Sequence, residues 1–149
     1  MKQIIKAIVK YIVLFLIGAI SYPLIEILYR GRTHWTMAVL GGICFVGCGM
    51  INNLLTFEMP LVWQMTLSSV FITTLELCFG IIINTIMGLN VWNYANLPLN
   101  FLGQICLPFT LIWFLISAPV IVLDDVIRWK WFDEIKPHYH LLKWGEHSA

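Results

Sequence analysis

Four long apolar stretches, at residues 4–29, 35–55, 60–89 and 100–123, dictate what this chain can become. A bilayer core of about 30 Å is crossed by about 20 apolar residues in a helix. In lipid, a helix satisfies every backbone polar group within itself. The stretches therefore predict four transmembrane helices. The connections between them, residues 30–34, 56–59 and 90–99, are short, and short connections force antiparallel neighbours. The expected fold is an all-α, polytopic membrane domain of two helical hairpins over residues 1–123, followed by an interfacial tail at 124–149. The third stretch would run about 45 Å as a helix, so it must tilt, kink or protrude.

Composition agrees. Only 11% of the residues are charged and 60% are hydrophobic, with a mean hydropathy of +0.84. Soluble domains carry about 25% charged residues, so this chain has too little charge to coat a water-facing surface. A net charge of +1 gives no electrostatic case for nucleic acid. The basic start (Lys2, Lys6, Lys10) before an apolar run resembles a secretory signal. The run continues through Leu28, however, and is read as a retained first helix. Apart from Arg30 and Arg32, every lysine and arginine lies at the start of the first helix or follows the fourth. The positive-inside rule then predicts a cell-membrane protein with both termini cytoplasmic and segments 30–34 and 90–99 outside.

A weak internal repeat is visible. Leu40-Gly41-Gly42-Ile43-Cys44 matches Leu102-Gly103-Gln104-Ile105-Cys106, and Leu24-Ile25-Glu26 matches Thr74-Leu75-Glu76. Read physically, one helical hairpin would be used twice in the same orientation. Short apolar strings also recur by chance in membrane helices. Gly41-Gly42 and Gly47/Gly49 offer close-packing faces for a homo-oligomer.

Polar residues in membrane helices are costly and are functional candidates by default. Glu76 is deep in the third stretch, with Thr73 and Asn84 outlining a polar stripe beside it. It serves either as a site residue or as hydrogen-bonding glue between helices. Glu26 and Arg30, one turn apart, form either a local ion pair or, with Arg32 and His34, a cationic rim suited to phosphate. The uncharged stretch Trp92, Asn93, Tyr94, Ala95, Asn96, Leu97, Pro98, Leu99, Asn100 and then Gln104 reads as a neutral pocket lining or as an aromatic-belt turn. Asn100 would cap the fourth helix, and Pro108 and Pro119 would lie inside it.

Asp124-Asp125 closes that helix at the surface, as a divalent-cation pair or as partner to Arg128 and Lys130. Trp129, Trp131, Phe132, Tyr139 and Trp144 suit headgroup depth. His138-Tyr139-His140, with His147 further on, forms a His-x-His that either binds a metal or, the preferred reading, is a set of ordinary exposed tail histidines. The cysteines Cys44, Cys48, Cys78 and Cys106 read as small core residues, so neither a metal nor a cofactor is expected. The chain has no Gly-x-x-x-x-Gly-Lys-Ser/Thr string, no Gly-x-Ser-x-Gly and no His-Glu-x-x-His.

The run Leu75-Glu76-x3-Gly80, then Trp92-Asn93-Tyr94-x-Asn96-x-Pro98-x-Asn100-x2-Gly103-Gln104-Ile105-Cys106 with Trp113 following, resembles a family of small bacterial membrane proteins. These are catalogued as type IV ABC-transporter permeases. Tyr22-x3-Glu26, Arg30-Gly31 and His34-Trp35-x-Met37 fit it as well, so the resemblance covers roughly residues 18–130. It implies a polytopic bacterial membrane protein and, as partner, a separate ATPase subunit docking on segment 56–59 or the tail.

The first functional expectation is a small permease- or channel-like component, acting as a homo-oligomer among membrane lipids, with a polar pocket open to the outer leaflet. Glu26, Arg30, Arg32, His34, Glu76, Asn84, Trp92, Tyr94, Asn96, Asn100 and Gln104 are its candidate binding residues. The alternatives are a membrane-embedded enzyme of lipid or cell-envelope chemistry, with Glu26 or Glu76 as base, and a non-catalytic scaffold or regulator.

Overall fold

The computed structural model describes residues 2–143; Trp144 and His147 lie outside the described residues. The order is helix α1 (Lys2–Arg30), α2 (Trp35–Leu54), α3 (Leu61–Gly80), a π-helical segment (Ile81–Ile86), a small hairpin of β1 (Asn100–Phe101) and β2 (Ile105–Cys106), and α4 (Leu107–Phe132). The fold is all-α, and the two strands are two residues each. By length and composition Lys2–Arg30, Leu61–Ile86 and Leu107–Phe132 are long and apolar enough to cross a membrane, while the apolar part of α2, Trp35–Ile51, is shorter.

Helix α1 packs mainly on α2 and α3 mainly on α4, as two hairpins should, and α2 touches all three others. Between Thr36 and Met50 no residue of α2 is exposed. A central helix enclosed by its neighbours need not match the lipid on its own. Helix α1 is the reverse: only Leu14 and Gly18 are buried. Ile8, Ile12, Leu16, Ile20, Leu24 and Leu28, spaced at every fourth position, are all at least half exposed. An outward apolar seam of this length needs lipid to cover it.

The glycines of α2 explain how four helices come so close. A Cβ at Gly41 would collide with Tyr22 and with the backbone of Gly18 on α1. One at Gly42 would meet the Phe15 ring, one at Gly47 the Phe71 ring of α3, and one at Gly49 the Asp124 carboxyl of α4. The glycine faces expected to serve an oligomer are thus all occupied within the chain. Gly18→Leu would drive its side chain into the Gly41 carbonyl and the Phe45 side chain. Overpacking of this kind costs about 1–3 kcal/mol or more. Thermal unfolding in detergent should show a clear drop for Gly18→Leu, while Ile20→Ala, at an exposed position, leaves the midpoint nearly unchanged.

The third stretch ends in a wider turn. Its last bond, from Met87 N to Ile82 O at 2.9 Å, closes the π segment. A wider turn advances each residue by a smaller angle, which brings Asn84 back over the buried face carrying Glu76. Gln64, Ser68, Ile72, Glu76, Gly80 and Asn84, at every fourth position, form that face.

The fourth helix begins later and ends later than its apolar run suggests. Residues 100–106 form the hairpin, with Asn100 opposite Cys106 and Phe101 opposite Ile105. Asn100 does not cap a helix: its Nδ2 donates to Ala95 O and Leu97 O, and its Oδ1 accepts from Gly103 N. Pro108 therefore falls in the first turn of α4, where a missing N–H is harmless, and only Pro119 is interior. Leu102 and Gly103 have φ of 54° and 66°, whereas Leu40-Gly41-Gly42-Ile43-Cys44 is α-helical. The two strings that suggest a repeat have different backbones.

At its other end α4 runs through the expected start of the tail and stops at Asp133, in the left-handed conformation with φ 57°. Lys6 pairs with Asp133 at 2.9 Å and Lys10 with Glu134, so the start of α1 and the end of α4 share one end of the bundle. Cys44, Cys48 and Cys106 are buried, but Cys78 is exposed on the outer face of α3.

Candidate functional site

At the opposite end of the bundle, α1 and α4 diverge around a cleft of about 190 Å³. Tyr22, Glu26 and Arg30 reach it from one stripe of α1, because residues four apart share a helix face. Phe109 and Trp113 do the same from α4, and Trp92 and Tyr94 close over it from the segment before the hairpin.

The walls are aromatic. Tyr22 stacks on Trp113 with ring centroids 5.5 Å apart, and Tyr94 stacks on Phe109 at 4.6 Å. Tyr29 meets Phe109 edge-on at 6.3 Å. Such pairs are favourable beyond the area they bury. Burial, and next the charge of Glu76, push the Tyr94 hydroxyl's pKa up, which keeps it neutral.

Glu76 lies beneath these walls and is 1% exposed. Trp113 Nε1 donates to its Oε2 at 2.8 Å, and Tyr22 OH donates to its Oε1 at 3.4 Å. The carboxyl is therefore linked to the cleft through the two rings of the floor.

The mouth holds the charge. Arg30 pairs with Glu26, whose other oxygen accepts from Thr33 Oγ1, and Arg30 Nη1 donates to Val91 O at 2.9 Å. Beside the mouth, Ile25, Tyr29 and Ile112 are all exposed, so the cleft opens sideways through the apolar surface of the bundle.

A second polar group sets the position of Trp92 and Tyr94. Asn84 Nδ2 donates to Trp92 O at 3.0 Å and to Gln104 Oε1 at 2.8 Å, and Asn84 Oδ1 accepts from Val91 N at 2.7 Å. Trp92 Nε1 donates to Gln104 O at 3.0 Å, and Tyr94 N to Gly103 O at 2.7 Å. Gln104 fits because it lies on Gly80, where any side chain would strike its amide. Asn84 and Gln104 thus pin the segment carrying the two rings onto the end of the third helix.

The remaining candidates lie apart. His34 caps α2, its Nδ1 lying 2.9 Å from Thr36 Oγ1 and accepting from Thr36 N. Arg32, Asn96 and Asn100 are exposed in connections. With Arg30 turned onto Glu26 and Val91 O, and His34 onto Thr36, the cationic rim is not assembled. Thr73 lies 3.2 Å from Thr110 of α4, away from Glu76's partners. Tyr22, Phe109 and Trp113 were not among the sequence candidates. The stripe Tyr22, Glu26, Arg30 was the available signal, since it joins an aromatic to the one charged pair of that helix.

A separate polar centre occupies the end with the termini. Asp124 and Asp125 are buried rather than at the surface. Asp124 pairs with Arg128 one turn on, and Asp125 accepts from Tyr139 OH at 2.7 Å. Lys130 lies over the Trp129 ring instead, 3.9 Å from its centroid. Burial first, then the bond to Asp125, raise the pKa of the Tyr139 hydroxyl and keep it a donor.

No curated protein and no solved structure matches this chain. A family model does, over residues 13–142 of 149, which takes in α1 from Val13 onward, the other helices, the hairpin, the cleft and the tail as far as Leu142. The chain belongs to the family described as "Putative ABC-transporter type IV".

Proposed function

We propose that this chain is the membrane component of a transport system, a small permease that takes an amphipathic ligand into the cleft between α1 and α4. The observation that carries this reading is the cleft itself. It has an ion pair at its mouth, stacked aromatic walls, and a buried carboxyl bonded to two of the wall side chains. A ligand with a polar head and an apolar body matches that order, and the sideways opening lets it arrive from lipid. By the distribution of lysine and arginine, the cleft faces the outer leaflet and both termini are cytoplasmic.

Residues that bind or hydrolyse a nucleotide are supplied by a separate ATPase subunit in this reading, meeting the chain at its cytoplasmic end. A second copy of the chain would enlarge the enclosed path. Transport is preferred to catalysis because Arg30 is turned onto Glu26 and Val91 O and His34 onto Thr36, an arrangement that does not gather them around a phosphate.

Ile112→Trp tests the reading, because Ile112 lines the cleft and is exposed, so a larger side chain can fill it without disturbing the core. Native mass spectrometry of the detergent-purified chain should show a co-purified amphipathic molecule. The Ile112→Trp variant should lose it while melting at the same temperature. Identical adducts in both proteins would reject the cleft as the binding site.

A further inference from the structure

The tail histidines meet a partner that lies far away in sequence. Residues 138–140, which belong to no helix or strand, lie against the α2–α3 connection and the start of α3. His140 O accepts from Leu61 N at 2.7 Å and Leu141 O from Val62 N at 3.4 Å, which satisfies two of the free amides at the start of α3. Tyr139 points to one side and is tethered to Asp125. His138 and His140 point to the other, where Glu58 lies. His138 Nε2 is 3.1 Å from Glu58 Oε1, and His140 Nε2 is 3.6 Å from Glu58 Oε2. The three ligand atoms lie within 4.8 Å of one another.

We propose that Glu58, His138 and His140 form a binding site for a divalent transition metal of the zinc class. Two imidazoles and a carboxylate are the donor set such ions prefer, and three protein ligands leave a fourth position for water or a partner's side chain. The geometry is prepared by bonds outside the donor set. The tail backbone is held by Leu61 and Val62, Tyr139 is held by Asp125, and the His138 ring lies 5.7 Å from the Phe57 ring. The histidine side chains are 49% and 42% exposed, so an ion reaches them from water. The spacing His-x-His alone allows a metal but does not distinguish a site from ordinary tail histidines. Glu58 supplies it, by facing both rings from across the chain. A bound ion would clamp the tail to the α2–α3 connection at the end of the bundle where the termini lie.

The test is titration of Zn²⁺ into the purified full-length chain in detergent, with Co²⁺ absorption reporting the ligand set. One Zn²⁺ per chain is expected, with affinity reduced at least tenfold in Glu58→Gln and in His140→Asn, and with helical content unchanged in both. The Co²⁺ spectrum should change in each variant. If the wild-type chain takes up no Zn²⁺, the proposal fails. It fails equally if Glu58→Gln binds Zn²⁺ as tightly as wild type, because the uptake would then belong to the histidines acting as a loose chelate. Because the readout is metal uptake at the opposite end from the cleft, it is independent of any transported ligand.

Discussion

Arg128→Met is expected to destabilise the folded chain by about 3–5 kcal/mol, the cost of breaking a buried ion pair from one side. The side chains of Arg128 and Asp124 are 3% and 0% exposed, and they pair one turn apart on α4. Removing the guanidinium leaves the Asp124 carboxyl inside the bundle, packed so closely on Gly49 that a Cβ there would overlap it. Lys10, at the same end of the bundle, is paired with Glu134. The Arg128 guanidinium also lies 5.4 Å from the Tyr11 ring centroid and 3.9 Å from Glu134, so one substitution loosens the contact between α1 and α4 as well. Thermal unfolding in detergent, followed by circular dichroism, should show a large drop in midpoint. The double variant Asp124→Ala/Arg128→Met removes both charges, and most of the loss should be recovered. A double variant no better than the single one would show that packing, not the stranded charge, sets the cost.

The helices were legible because lipid imposes one condition on every residue that faces it, and long apolar runs meet that condition unambiguously. The ends of the helices were not. Residues 100–106 carry no charge and lead without a break into the apolar run that follows, and what turns them into a hairpin is a set of bonds between Asn100 and Ala95, Leu97 and Gly103. Those bonds hold Leu99 and Leu102 at positive φ, a conformation leucine rarely adopts and its identity does not announce. At the other end, Asp124 and Asp125 looked like a helix terminus because charge in a membrane chain ordinarily marks the surface. Arg128, one turn on, lets Asp124 stay inside, and the Tyr139 hydroxyl does the same for Asp125.

The candidate site divides in the same way. Glu26, Arg30, Glu76, Trp92 and Tyr94 stood out by residue type alone, and the structure brings them around one cleft. Asn84 and Gln104 stood out too, but their partners are mostly backbone groups of Val91, Trp92 and Leu102, which no sequence pattern names. Tyr22 and Trp113 enter the sequence reading only as positions of the family resemblance, and Phe109 does not enter it, because an aromatic in an apolar run carries no mark of a site. What distinguishes Trp113 is a carboxyl 2.8 Å from its ring nitrogen, and that contact joins positions 37 residues apart.

That contact separates the structural role of Glu76 from its functional one. Glu76→Ala removes the acceptor of two buried donors, Trp113 Nε1 and Tyr22 OH. Each donor left without a partner costs about 1–3 kcal/mol, and the vacated space adds to the loss. The alanine variant should therefore unfold well below the wild-type temperature. Glu76→Gln behaves differently. An amide of the same shape can turn its carbonyl towards the Trp113 N–H and offer its NH₂ to the Tyr22 oxygen, which accepts as readily as it donates. The fold and the floor of the cleft survive, while the capacity to carry a negative charge or exchange a proton is lost. Glu76→Gln should express and melt nearly as the wild type does, yet lose the co-purified ligand in native mass spectrometry and fail to complement a strain lacking the chain. If Glu76→Gln keeps both activities while Glu76→Ala unfolds, the carboxyl is a hydrogen-bonding strut between α1, α3 and α4. Ligand recognition would then rest on the Glu26–Arg30 pair and the aromatic walls alone.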